Sequence, residues 1–197
     1  MSRKGIFYVV FFASLTLIFY LITKNWLKKD TSIATVQPFS FIDQDGKIFT
    51  NENVAGKIYV AEFFYTTCTA VCPRMNSNMK KVYEKFKTEK DFLIVSHTSD
   101  PERDSAAQLK KYAENLGVNT DRWVFLTGRK DSLYNMARLS YMIDDPANNL
   151  KSIDDQFLHS QLWALVNKKG RVKKIYDGLK ENEVTELIED ISKMLKE

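Results

Sequence analysis

Residues 57–65 (KIYVAEFFY) run directly into Thr66-Thr67-Cys68-Thr69-Ala70-Val71-Cys72-Pro73. The run is almost continuously β-branched or aromatic, the composition of a central strand buried on both faces. Pro73 suits the first turn of a helix, where its missing N–H is no loss. Behind it Met75, Met79, Val82, Tyr83 and Phe86 recur at helical spacing and make one apolar face. The chain is thereby committed to a strand that turns straight into an amphipathic helix, with two thiols at the junction.

The alternation continues downstream. Phe92–Thr98 reads as a second buried strand. Asp100-Pro101 opens the way to a helix with Leu109, Tyr112, Ala113 and Leu116 inward, and Asp100 is expected to cap it. Residues 122–126 read as a third strand and 131–139 as a short helix. Leu162–Val166 and 172–176 read as strands joined by a hairpin at Asn167-Lys168-Lys169-Gly170. A last helix places Val184, Leu187, Ile188, Ile191 and Leu195 inward. A parallel βαβ unit, a further strand and helix, a hairpin and a closing helix give an α/β, thioredoxin-like order, a mixed central sheet flanked by helices in three layers. In such sheets ligands gather where strands end and helices begin, which is where Cys68 and Cys72 stand. Residues 140–158, with Pro146, Asp144, Asp145, Asp154 and Asp155, resist regular structure and lead to His159. A loop of that length is functional or mobile, and its aspartates read as solvated charges.

The N-terminus stands apart. From 6 to 22 only Ser14 and Thr16 interrupt the apolar and aromatic residues, and no charge occurs. As a helix this stretch reaches roughly 26 Å, close to the hydrocarbon thickness of a bilayer. No small-x-small cleavage site follows it, and an apolar surface all round does not suit a core helix. The expected organisation is a membrane anchor over 1–23, a polar tether over 24–35 and a thioredoxin-like domain over 36–197. With 44% hydrophobic and 27% charged residues that domain is globular. A net charge of +4 without a basic block excludes a nucleic-acid partner.

The whole chain holds two cysteines and two histidines. Cys68 and Cys72 are spaced to lie on one helical face, within reach of a disulfide or of one shared metal. A helix N-terminus is expected to favour both thiolates. A purely stabilising disulfide is a poor reason for the pair, since closing three intervening residues constrains the unfolded chain little. Thioredoxin-type oxidoreductases separate their cysteines by two residues, and Ala61 and Tyr65 stand where peroxiredoxins carry Pro and Thr. Two soft thiolates with one imidazole suit copper: Cu(I) prefers sulfur, and Cu(II) gains from the nitrogen. His97, at a strand end, is an alternative or outer ligand, or simply a hydrogen-bonded histidine. Met75 and Met79 read as core packing, and Arg103 and Asp104 as structural, paired with each other or with the site.

Phe63-Phe64-Tyr65-Thr66-Thr67-Cys68-Thr69-Ala70-Val71-Cys72-Pro73, then Asp100 to Asp104 (DPERD), then Leu126-Thr127-Gly128, then a histidine after a long loop and before a strand, together resemble the Sco/SenC family. The resemblance covers essentially the whole chain. It implies a copper metallochaperone rather than an enzyme, with Cys68, Cys72 and His159 as ligands of Cu(I) or Cu(II). It also implies a single-pass protein of the inner (cytoplasmic) membrane, with its domain on the periplasmic side. Its partner would be the copper-site subunit of cytochrome c oxidase or another copper protein, served by delivering copper or by reducing that centre's cysteines. A membrane-anchored thiol–disulfide oxidoreductase or a thiol redox sensor would use Cys68 and Cys72 without needing His159. Leu158 departs from the Asp that often precedes the family's histidine, so an acidic partner for the imidazole must come from elsewhere, Asp154 or Asp155 being candidates.

Overall fold

The structure is a computed structural model and describes residues 2–26, 32–144, 158 and 160–197. The chain divides into two compact units, Met1–Thr31 and Ser32–Glu197. The first holds one helix, α1 (Arg3–Trp26). Within it Arg3–Thr23 has a mean hydropathy of up to 2.3 and buries none of that surface, so by length and composition it is able to cross a membrane.

The second unit is built on strands β1 (Ala34–Thr35), β2 (Ser40–Asp43), β3 (Ile48–Thr50), β4 (Ile58–Phe64), β5 (Phe92–Thr98), β6 (Trp123–Thr127), β7 (Leu162–Val166) and β8 (Arg171–Asp177). They form one sheet in the order β1-β8-β7-β4-β5-β6-β2-β3. β4, β5 and β6 run parallel, while β7 and β2 flank them antiparallel. The parallel crossovers pass through α3 (Val71–Phe86) and α4 (Ala106–Leu116); α2 (Asn51–Val54), α5 (Lys130–Asn135) and α6 (Glu181–Met194) complete the helices. All seven residues of β4 and all seven of β5 are buried, as their largely apolar sequences favour, and Glu62, Ser96, His97 and Thr98 are buried with them. The two-residue period of a strand sends them to opposite faces. Tyr59, Ala61, Phe63 and Val95 pack with Val54, Leu133 and Tyr134. Ile58, Val60, Phe64 and Ile94 pack with Met75, Met79, Leu109 and Leu187. Both faces are therefore covered, which is the three-layer thioredoxin-like arrangement.

Three local details differ from the sequence reading. α4 is capped by Ser105, whose hydroxyl oxygen accepts the Gln108 N–H at 3.3 Å; Asp100 instead begins a turn whose carbonyl accepts the N–H groups of Arg103 and Asp104. The helix expected over 131–139 ends early: α5 stops at Asn135, and a π-helical turn, Met136–Ser140, follows it. A β2–β3 hairpin and α2 fill the stretch between Val36 and β4, and β1 lies within the residues read as a tether.

One glycine is fixed by packing. A Cβ on Gly178 would stand 2.4 Å from the indole of Trp163, a ring with 0% exposure. The Gly178 carbonyl also accepts the Asn78 side-chain N–H at 2.8 Å, joining α3 to the turn after β8. Gly178→Ala is expected to cost about 2 kcal/mol, because the ring has no room to retreat. Urea unfolding of the variant should show the midpoint fall with an unchanged slope.

Candidate metal centre

β4 delivers Tyr65 and the cysteine loop at the C-terminal edge of the parallel strands. The loop is held from below by Asp104, which has 0% exposure. Its carboxylate accepts the Thr66 N–H at 3.1 Å, the Thr66 hydroxyl, and the Thr98 hydroxyl at 2.5 Å. Asp104 thus ties the chain two residues before the first thiol to the end of β5. Arg103 does not pair with it; its guanidinium lies 3.7 Å from Asp100.

The Cys68 N–H donates to the Tyr65 carbonyl at 3.2 Å, closing a tight turn. α3 then starts at Val71 with no side-chain hydrogen bond from its N-cap residue, Ala70. The Cys68 sulfur takes that place by accepting the Cys72 N–H at 3.3 Å. Both thiols are free; Cys72 is buried and Cys68 partly exposed. The sequence expectation of two favoured thiolates holds for Cys68 alone. Burial raises the Cys68 thiol, but hydrogen bonds from the Cys72 thiol, the N–H groups of Cys72 and Ala70, and the Tyr65 hydroxyl outweigh it and bring it down to about 7. Burial, followed by its bond to Cys68, pushes the Cys72 thiol up to about 12. The helix start acts through Cys68 because Cys72 sits within the apolar cluster beneath it.

A cavity of about 320 Å³ opens beside the pair, and Tyr65, Cys68, Cys72, Met75, Leu158 and Ser160 are among its walls. His159 itself lies outside the described residues, as do Asp145, Asp154 and Asp155. Its two chain neighbours are well anchored. Leu158 is buried, and its N–H donates to the Tyr134 hydroxyl at 3.1 Å. Ser160 donates its hydroxyl to the Ile143 carbonyl at 2.7 Å. Asp144 is not the solvated charge the sequence reading made it: it forms a 2.7 Å ion pair with Arg138, with both side chains 10% exposed or less.

His97 faces away from the thiols, among the residues of the opposite sheet face. Its ring stacks on Phe63 at 5.0 Å, and Nε2 is 3.2 Å from the Tyr141 hydroxyl. Burial depresses the imidazole to about 3, so it stays neutral. Met75 and Met79 are buried in the core, Met75 also reaching the cavity wall. Beneath the site, Glu62 is fully buried. Burial raises its carboxyl to about 7, opposed by the hydrogen bond that the Ser96 hydroxyl donates to it at 2.6 Å. Among the described residues no group of three His, Cys, Asp or Glu side chains is placed to hold a metal ion. The donors at hand are two sulfurs, one of them ionising near neutral pH, and this set fits a soft ion such as Cu(I).

Residues 28–196 match the family model described as SCO1/SenC. The chain is 35% identical to the SCO1 protein homolog of Bacillus subtilis over 83% of its length and 84% of that protein's. Among solved structures it resembles BsSco, a member of the Sco family of cytochrome c oxidase assembly proteins in which a disulfide switch is identified. That match has a TM-score of 0.70 and 32% identity, covering 85% of this chain and 96% of the other. Arabidopsis thaliana ScoI with copper bound matches at TM-score 0.65 and 28% identity, covering 83% and 99%.

Proposed function

The chain belongs to the SCO1/SenC family, and from that premise we propose that it is a copper metallochaperone for assembly of the binuclear copper centre of cytochrome c oxidase. Cys68, Cys72 and His159 are the ligands in this reading, and copper is the cargo they carry. The observation that carries it is the convergence on one cavity of two free thiols and both chain neighbours of His159. Sulfur alone satisfies Cu(I), which accepts low coordination; an added imidazole favours Cu(II). In this reading α1 serves as the membrane anchor, the chain between α1 and the second unit as the tether, and the unit from Ser32 onward, whose sheet already includes β1, as the working domain on the extracytoplasmic side, facing a copper-site subunit or another copper protein.

The test is titration of Cu(I) and Cu(II) into the full chain in detergent, against a competing chelator, with His159→Ala alongside. Loss of a ligand should weaken Cu(II) by about a hundredfold, at or beyond the upper end of what an outer-shell partner costs. Equal affinities for both proteins would end the metallochaperone reading.

One observation favours a second reading, a thiol–disulfide oxidoreductase. The partly exposed Cys68 is the thiol that ionises near pH 7, and the buried Cys72 is the one that does not. Cys68 thiolate would attack a partner disulfide and expel one partner thiolate. Cys72 would then lose its proton and close the Cys68–Cys72 bond, releasing the second partner thiol. This reaction needs no His159, so its rate in the His159→Ala protein separates the two readings.

A further inference from the structure

A tyrosine on the far side of the loop joins the two halves of the site. Tyr134, in α5, has 0% exposure, and packing alone would be served as well by Phe. A buried hydroxyl is costly unless it is hydrogen-bonded, and here it bonds on both sides. It accepts the Leu158 N–H at 3.1 Å and donates to the Ser99 carbonyl at 2.9 Å. Ser99 in turn donates its N–H to the Phe64 carbonyl at 2.8 Å, and Phe64 ends the strand that leads into the cysteine loop. A continuous path therefore runs from the residue before His159, through one phenol, to the strand that presents Cys68.

The phenol is itself held. The Arg138 guanidinium lies 5.5 Å from the centre of its ring, fixed there by the buried pair with Asp144. Arg138 belongs to the π-helical turn, in which the Tyr141 N–H reaches back five residues to the Met136 carbonyl at 2.9 Å. Such turns recur at functional positions because they re-aim the side chains that follow. On the other side of His159, the Ser160 hydroxyl is tied to Ile143, just beyond the same turn. Residues 158 and 160 are thus mounted at two points on a single segment.

We propose that Tyr134 is a positioning residue for the third copper ligand, acting through the Leu158 backbone, with Ser160 as the second mounting point. This rests on the reading of His159 as a ligand. Tyr134→Phe should lower Cu(II) affinity about tenfold, the usual scale for an outer-shell partner. The electron paramagnetic resonance spectrum of bound Cu(II) should move towards that of His159→Ala. Cu(I), which the two sulfurs hold, should change by less than about threefold. Ser160→Ala should repeat the pattern. A wild-type spectrum and Cu(II) affinity in both variants, with His159→Ala losing both, would overturn the proposal and leave the ligand reading standing. An equal loss of Cu(I) and Cu(II) affinity together with folding stability would also overturn it, since that marks a structural role only. If His159→Ala behaves as wild type, the ligand reading fails first and the proposal goes with it.

Discussion

Asp104→Ala is expected to remove about 2–4 kcal/mol of folding stability, because three donors, one on buried Thr98 and two on half-buried Thr66, lose one buried acceptor at a stroke. They are the Thr66 N–H, the Thr66 hydroxyl and the Thr98 hydroxyl. Each buried donor left without an acceptor costs roughly 1–3 kcal/mol. Some of that is recovered, since a hydroxyl can rotate and Thr98 already accepts the Asp100 N–H at 2.9 Å. The backbone N–H of Thr66 has no such freedom. Release of Thr66 also frees the turn that brings N–H groups to the Cys68 sulfur, so that thiol should drift back towards its ordinary value of 9.0. Two measurements check this: the urea midpoint, and the rate of Cys68 alkylation at pH 7. Asp104→Asn should fall between, because its amide has one accepting oxygen where the carboxylate has two. A midpoint within about 0.5 kcal/mol of wild type, the range of an ordinary surface change, would show that the loop holds its shape without Asp104.

That role was out of reach of a one-dimensional reading. Asp104 and Thr66 are separated by 38 residues, and no local period links them. What the sequence does display is whatever repeats. The buried strands around Val60 and Val95 are legible because both their faces are mostly apolar, and α3 because Met75, Met79, Val82 and Phe86 share one face. The thiol pair is legible as a spacing, Cys72 following Cys68 by four at a strand-to-helix junction. Its asymmetry is not, since it depends on how deeply the apolar cluster closes over Cys72. The β2–β3 hairpin left only a weak trace, an Asp45-Gly46 turn with Gly46 at φ 77°, between strands of four and three residues. Tyr134 carries no signal in its own segment, since its two hydrogen-bond partners come from separate parts of the chain. Asp144 shows the opposite error: among acidic loop residues it reads as solvated, but Arg138, six residues earlier, draws it inward.

Two buried ionisable groups, one near the thiols and one behind them, should give the protein a pH profile with opposing slopes. His97 is depressed from 6.5 to about 3 by burial. The folded state therefore binds fewer protons there than the unfolded chain. Its contribution is complete above pH 6.5 and is lost as pH falls towards 3, worth about 5 kcal/mol over that span. Glu62 is raised from 4.5 to about 7 by burial, so its sign is reversed. Its contribution is complete below pH 4.5 and is lost as pH rises to 7, about 3 kcal/mol in all. Between 4.5 and 6.5 the two slopes cancel, and below 4.5 only the loss from His97 remains. Glu62→Gln should unmask the histidine, so that stability climbs by about 1.4 kcal/mol per pH unit from 4.5 to 6.5. His97→Phe, among Phe39, Phe41 and Phe63, should unmask the glutamate and make stability fall across the same window. Urea midpoints measured at half-unit steps of pH decide the matter. Slopes of the same sign in the two variants would mean that at least one of these groups is not held in the uncharged form that its burial demands.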